Sequence, residues 1–197
     1  MLGGRTPAAS RANTSKECAS LIFEPTAIPG ACIVELERRE DERGFFARAW
    51  CAREFEAHGL RPFIAQVNIS NNRHKHTLRG FHYQAAPHEE EKLIRCTRGA
   101  LHFVLIDLRP DSPAYKRHIT TRLTADNYRM LYVPKGCANG FLTLEDDSEL
   151  LYLISEFYSP GFERGYRWDD PALGVEWPIA EPAVISEKDQ NWPAFEG

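Results

Sequence analysis

The chain has 197 residues and 24 Lys and Arg against 28 Asp and Glu, a formal net charge of −4 at pH 7. That length predicts a single domain able to bury its own core. Mild acidity excludes general nucleic-acid binding, which needs clustered cations, and no stretch approaches the roughly 20 apolar residues of a membrane-spanning helix. With 43% hydrophobic and 26% charged residues, wholesale disorder is excluded as well.

Residues 1–20 are small, polar and basic, without the apolar run of a secretory signal. They read as a disordered or loosely attached extension before one domain over 21–197. Their Arg and Ser content leaves an organelle transit peptide as the other reading. Short apolar runs then recur about every ten residues between Pro and Gly turns. Strands are predicted at 31–36, 44–50, 63–69, 78–83, 92–97, 100–108, 118–123, 130–133, 140–144 and 149–157. A short helix is predicted at 52–58, stopped by Gly59, and a helical turn at 125–128 with Thr124 as its cap. Many short strands without alternating long helices predict an all-β protein, an antiparallel sandwich or barrel. A jelly roll fits the strand count, with ligands bound in its mouth. Cys18, Cys32, Cys51, Cys96 and Cys137 are widely spaced, odd in number and lack a C-x-x-C pair. They are expected as free thiols in a reducing, cytoplasmic setting.

The chemistry concentrates in Thr77-Leu-Arg-Gly-Phe-His-Tyr-Gln84. As a strand it turns Arg79, Phe81 and Tyr83 to one side and Leu78, Gly80, His82 and Gln84 to the other. Gly80, unfavourable in a strand, marks close approach of a ligand or another backbone. An isolated His82 reads as a core imidazole bonded to a carbonyl. A cupin-type metal site is the competing reading, since His74-Lys-His76 has the spacing of two ligands and His102 could be a third. No Glu follows at the required distance, so no metal is expected.

Arg79-Gly-Phe-His-Tyr-Gln84 resembles the R-G-L-H-Y-Q signature of the dTDP-4-dehydrorhamnose 3,5-epimerases. In the same order, Asp41-Glu-Arg-Gly-Phe-Phe46 resembles that family's D-x-R-G-F-F, and Gln66-Val-Asn-Ile-Ser70 its Q-x-N-x-S. Lys92-Leu-Ile-Arg95, Asp107-Leu-Arg-Pro-Asp-Ser-Pro113 and Val133-Pro-Lys-Gly-Cys-Ala-Asn-Gly-Phe141 continue the match, which Trp177-Pro178 and Ile185-Ser-Glu-Lys-Asp189 close. The resemblance implies a cupin-type jelly roll (a double-stranded β-helix) with short flanking helices, usually dimeric. It implies epimerisation at C3 and/or C5 of a nucleotide-linked 4-keto-6-deoxyhexose without metal or redox cofactor. Such chemistry needs a base beside the ketone, a stabiliser for the enolate oxygen and an acid on the opposite face. By resemblance these are His82 with Asp189 as its carboxylate partner, Lys92, and Tyr152.

Each has a plainer reading: Asp189 as a helix cap, Lys92 as a solvated surface cation, and Tyr152 as a core residue with a bonded hydroxyl. For the ligand, the resemblance implies Arg79 at the diphosphate, where a surface ion pair is the alternative. It implies Gln66 and Asn68 as polar contacts, Arg43, Glu163 and Lys188 near the nucleotide, and Tyr158 stacked on the base. Phe46 joins the same wall or the core. Two positions depart from the pattern. The histidine of A-H-G-F is Asn139, which cannot carry positive charge, and a glutamate that contacts the nucleotide is Arg48. Arg48 binds a different base or phosphate pose, or points to solvent. The departures point to retained chemistry on a sugar nucleotide other than dTDP. Two further readings are a sugar-nucleotide 3,4-ketoisomerase and a sugar-nucleotide-binding cupin without turnover.

Overall fold

A computed structural model describes residues 19–196. Most of the expected extension, and Cys18, lie outside the described residues; Ala19 is already buried. The elements in chain order are β1 (Leu21–Pro25), β2 (Cys32–Leu36), β3 (Arg39–Asp41), β4 (Gly44–Phe46) and helix α1 (Ala52–Ala57). Then follow β5 (Gln66–Asn72), β6 (Thr77–Gln84), β7 (Lys92–Arg98), β8 (Ala100–Asp107), β9 (His118–Thr124) and β10 (Met130–Val133). Last come β11 (Cys137–Thr143), β12 (Ser148–Ile154), β13 (Glu163–Gly165), β14 (Val184–Ile185) and helix α2 (Glu187–Gln190).

One sheet runs β1-β2-β10-β7-β12-β5 and the other β13-β6-β11-β8-β9, with β14 added beside β6 and β3–β4 a separate hairpin. The two main sheets pack face to face as the expected jelly roll. Their shared interior holds Ile94, Cys96, Leu131 and Leu150 from the first sheet against Leu101, Phe103, Leu105, Leu123 and Phe141 from the second. β8 shows why some strands read as unbroken apolar runs. Leu101, Phe103 and Leu105 face the interior, while Val104 and Ile106 face outward under a second cluster with Phe81 and Leu173. A strand covered on both faces has no polar side to alternate with.

Helix α1 covers the outer face of the first sheet by burying Phe55 against Val34, Leu93 and Tyr132. Gly59, at φ +71°, takes the chain out of it. The structure differs from the sequence expectations at short elements. The predicted strand 44–50 is ordered as strand only over Gly44–Phe46, and 63–69 becomes Gln66–Asn72. The segment 125–128 is a turn, although Thr124 Oγ1 does accept from Asn127 N–H. β1, β3, β13 and β14 form where the reading gave no strand; all but β1 are two or three residues long, and each is held by its partner strand.

Candidate active site

A cavity of about 480 Å³ and an adjoining one of about 170 Å³ open between the sheets, and His82, Lys92 and Tyr152 line both. His82 comes from β6 in the second sheet, Lys92 from β7 and Tyr152 from β12 in the first. Gln66 and Asn68 of β5, two residues apart, line the larger cavity together, as alternation requires. Tyr152 lies opposite Asn68 in the ladder, so the two strands present their polar residues at one level.

β6 departs from simple alternation. His82 pairs with Asn139 but Arg79 pairs with Phe141, so Gly80 and Phe81 oppose the single residue Gly140. This bulge reverses the facing of the strand. Arg79 and His82, expected on opposite sides, therefore line the same small cavity. Gly80 makes the bulge possible: its φ is +130°, and a Cβ there would lie 2.5 Å from Gly140 Cα. The close approach expected at Gly80 is thus that of another backbone.

Asp189 reaches His82 from the C-terminal segment. β14 pairs in parallel with Thr77 and Leu78, and α2 follows directly. Ser186 Oγ, not Asp189, caps α2, accepting from Asp189 N–H at 3.1 Å. The Asp189 side chain, in a residue only 4% exposed, bonds His82 Nε2 through Oδ1 at 2.6 Å. Burial pushes this carboxyl up, but hydrogen bonds from His82, Trp192 and Gly80 outweigh it and hold the group below the usual Asp range. With Nε2 engaged, Nδ1 is the ring nitrogen left to exchange a proton.

Lys92 is no solvated cation. Its side chain is 12% exposed, 2.8 Å from Glu90 Oε1, and it donates to Asn139 Oδ1 at 3.0 Å across the sheets. The Tyr152 hydroxyl has no hydrogen-bond partner among the described residues. Burial raises its pKa, Arg79 opposes the rise and Glu90 adds to it. Arg79 Nε donates to Asn72 Oδ1 at 2.7 Å, leaving the rest of its guanidinium for a ligand. Glu163 Oε2 accepts from Tyr158 Oη at 2.8 Å and from Lys188 Nζ. Burial raises the Glu163 pKa, and these two donors bring it below the ordinary value. Gln66 Oε1 ties the Tyr158 backbone N–H at 3.0 Å.

Three expected ligand contacts are not brought to this cavity within one chain. Arg43 pairs with Asp41 on the exposed β3–β4 hairpin, Phe46 on the same hairpin is 65% exposed, and Arg48 pairs with Glu54 at 2.7 Å. Sequence reasoning passed over Glu90, Asn72 and Trp192. The acidic run Glu89-Glu-Glu-Lys92 was the one local signal, for Glu90. Among the described residues no cluster of three or more His, Cys, Asp or Glu is arranged to hold a metal.

Comparison with known proteins is consistent along the chain. A family model described as dTDP-4-dehydrorhamnose 3,5-epimerase matches residues 25–197. The chain belongs to that family. A Shigella flexneri dTDP-4-dehydrorhamnose 3,5-epimerase is 39% identical over 171 residues, 86% of this chain and 93% of the relative. The crystal structure of the Bacillus anthracis enzyme with TDP and PPi bound superposes with a TM-score of 0.86 at 35% identity, covering 89% of this chain and all of that one. A 3'-monoepimerase from Streptomyces bikiniensis in complex with dTDP-quinovose gives 0.80 at 34% identity, covering 87% and 86%. The chain is thus an isomerase of the epimerase type on a cupin jelly roll. Its two departures from the epimerase motifs have separate surroundings: Asn139 contacts Lys92 inside the cavity, whereas Arg48 is engaged with α1.

Proposed function

We propose that this epimerase inverts C3 and/or C5 of a nucleotide-linked 4-keto-6-deoxyhexose through an enolate. The observation that carries the reading is that His82 and Tyr152 face one cavity from opposite sheets. A base and an acid on opposite faces of a ring are what inversion requires. His82 Nδ1 takes the proton from a carbon beside the C4 ketone, and Asp189 supports the resulting imidazolium through Nε2. Lys92 stabilises the enolate oxygen, a task favoured by its removal from bulk water. Tyr152 Oη then delivers a proton to the same carbon from the other side, and solvent restores both groups. C3 and C5 flank the same carbonyl, so the chemistry is identical at each and positioning alone selects between them.

Arg79 takes the diphosphate, Gln66 and Asn68 contact the ligand, and Tyr158, Glu163 and Lys188 meet the nucleotide. The engagement of Arg48 by Glu54 removes its support for a changed nucleotide and leaves that idea on Asn139. Titration with dTDP, GDP, CDP and UDP tests it, and clear selectivity for dTDP ends it. A homodimer is supported by the β5 edge, where Val67 and Ile69 are 56% and 65% exposed. A second copy could also receive Arg43 and Phe46 from the exposed hairpin, bringing these contacts to a cavity. The unpaired Cys32, Cys51, Cys96 and Cys137 support a cytoplasmic location.

The test of the reaction is turnover of a panel of 4-keto-6-deoxyhexoses linked to dTDP, GDP, CDP and UDP in deuterated water, read by NMR of the product. Deuterium at C3, C5 or both with inversion is expected. Exchange at neither carbon removes the reading, and a carbonyl moved to C3 would make the protein a ketoisomerase.

A further inference from the structure

The dyad carboxylate does not stand on a strand of either main sheet. It stands on a four-residue helix in the C-terminal segment, so something must hold that segment's rotation. Trp192, three residues beyond Asp189, makes three contacts that do so. Its Nε1–H donates to Asp189 Oδ1 at 3.2 Å, the same oxygen that His82 engages. Its ring meets the His82 imidazole edge-on, with centroids 6.1 Å apart. The bond shared by its two rings packs against Gly165 of β13 so closely that a Cβ there would lie 2.5 Å from Trp192 Cε2. The chain on either side is tied down independently: β14 pairs with β6, Arg167 N–H donates to Pro193 O, and Phe195 N–H donates to Asp170 Oδ2 at 2.6 Å.

We propose that Trp192 is a positioning residue for the His82–Asp189 pair, fixing the carboxylate through its indole N–H and the imidazole through its ring. The proposal rests on the epimerase reading in which His82 is the base. It carries a definite electrostatic sign. A donor on Oδ1 draws charge from the carboxylate and so moderates its support of the imidazolium. Without that donor the Asp189 carboxyl rises toward its ordinary value and keeps more of its negative charge facing the imidazole. Of the other charged or titratable groups at the site, Lys188 lies with Nζ 5.3 Å from the centroid of the Trp192 ring, an aromatic face that phenylalanine also offers, while Glu163, Lys92, Glu90, Arg79, Tyr152, Tyr83 and Tyr158 are the same groups in the variant.

The test is Trp192→Phe, which keeps the aromatic packing and deletes the donor. The expected result is a kcat lower by about 3- to 10-fold, as for one lost hydrogen bond, with KM little changed. The acid limb of kcat/KM should move to higher pH, a readout that a purely structural role does not shift. Wild-type kcat with an unmoved acid limb overturns the proposal. Should the variant fail to fold, Asp189→Asn in the otherwise native chain carries the test, because it should move one of the four indole N–H NMR signals; four unmoved signals overturn the contact. Failure of the epimerase reading is distinguishable, since the unmodified chain would then give no product inverted at C3 or C5 with deuterium at that carbon.

Discussion

The interior between the sheets has two ends built from the same strands, and they differ in what their inward positions carry. Along β7 the inward residues run from Lys92 at the cavity to Ile94 and Cys96 in the core. Along β12 they run from Tyr152 to Leu150. At the dry end, Leu101 and Leu123, opposite one another in the ladder, close the space with no exposed surface. At the wet end nearly every charge has a partner: Lys92 with Glu90, Lys188 with Glu163, His82 with Asp189. One backbone geometry thus serves two ends, one stabilised by exclusion of water and the other by pairing of polar groups that are buried or half-buried. The difference teaches that a polar cavity here costs little architecture: a two-residue step along β12 goes from the packed Leu150 to the cavity-lining Tyr152.

Three experiments break or sharpen that contrast. The largest effect belongs to His82→Ala, which should cut solvent-deuterium exchange by about 10²- to 10⁴-fold, the range for loss of a general base. Nucleotide affinity, titrated calorimetrically, should survive; equal loss of both would give the imidazole a structural role. Next comes Leu101→Ala at the dry end, expected to lower stability by about 2–5 kcal/mol in urea unfolding because the cavity cannot collapse fully. The exchange rate per folded molecule should stay near that of the unmodified chain. A large loss of turnover instead would mean that the two ends are mechanically coupled.

The smallest effect concerns Asp107, a buried carboxylate outside the site. It accepts from Arg109 Nε at 2.8 Å, Arg109 Nη2 at 2.6 Å and Ser112 Oγ at 2.6 Å. Burial raises its pKa, but these donors bring it below the unfolded value of 3.8. A depressed folded pKa stabilises fully above the unfolded value and is lost as pH falls below 3.8 toward the folded one. Asp107→Asn should therefore cost about 1–3 kcal/mol at neutral pH, as for hydrogen bonds to a charged group. It should also flatten the fall in stability on acidification, and an acid-unfolding curve parallel to that of the unmodified chain would refute the assignment.

Much of the site was legible in the chain because its motifs are local. Arg79-Gly-Phe-His-Tyr-Gln84 carries a strand, a bulge glycine and the imidazole together, and the Gly80 signal was physical: a backbone without room for Cβ. The facing of Arg79 was not legible, because alternation assumes an unbroken ladder and the two-for-one pairing with Gly140 is a property of both strands. Glu90 looked like one more acid in a charged run until the sheets closed over it. Trp192 had no signal, since two of its partners, His82 and Gly165, are distant in the chain and its bond to Asp189 depends on the turn of α2. The short strands β13 and β14 escaped for the same reason, being held by β6 rather than by any period of their own.

By itself the sequence determined the all-β class, the order of the main strands, the family and the titratable groups of the candidate site. Those follow from side-chain type and two-residue periodicity, which are written residue by residue. Tertiary structure alone decided how those groups are held: that Trp192 and Gly80 also reach Asp189, that Glu90 and Asn139 hold Lys92, and that Arg43, Phe46 and Arg48 stay outside the cavity of their own chain. Pairing across more than a hundred residues depends on the register of both sheets and on one bulge, and no local stretch of chain encodes a distance between two strands.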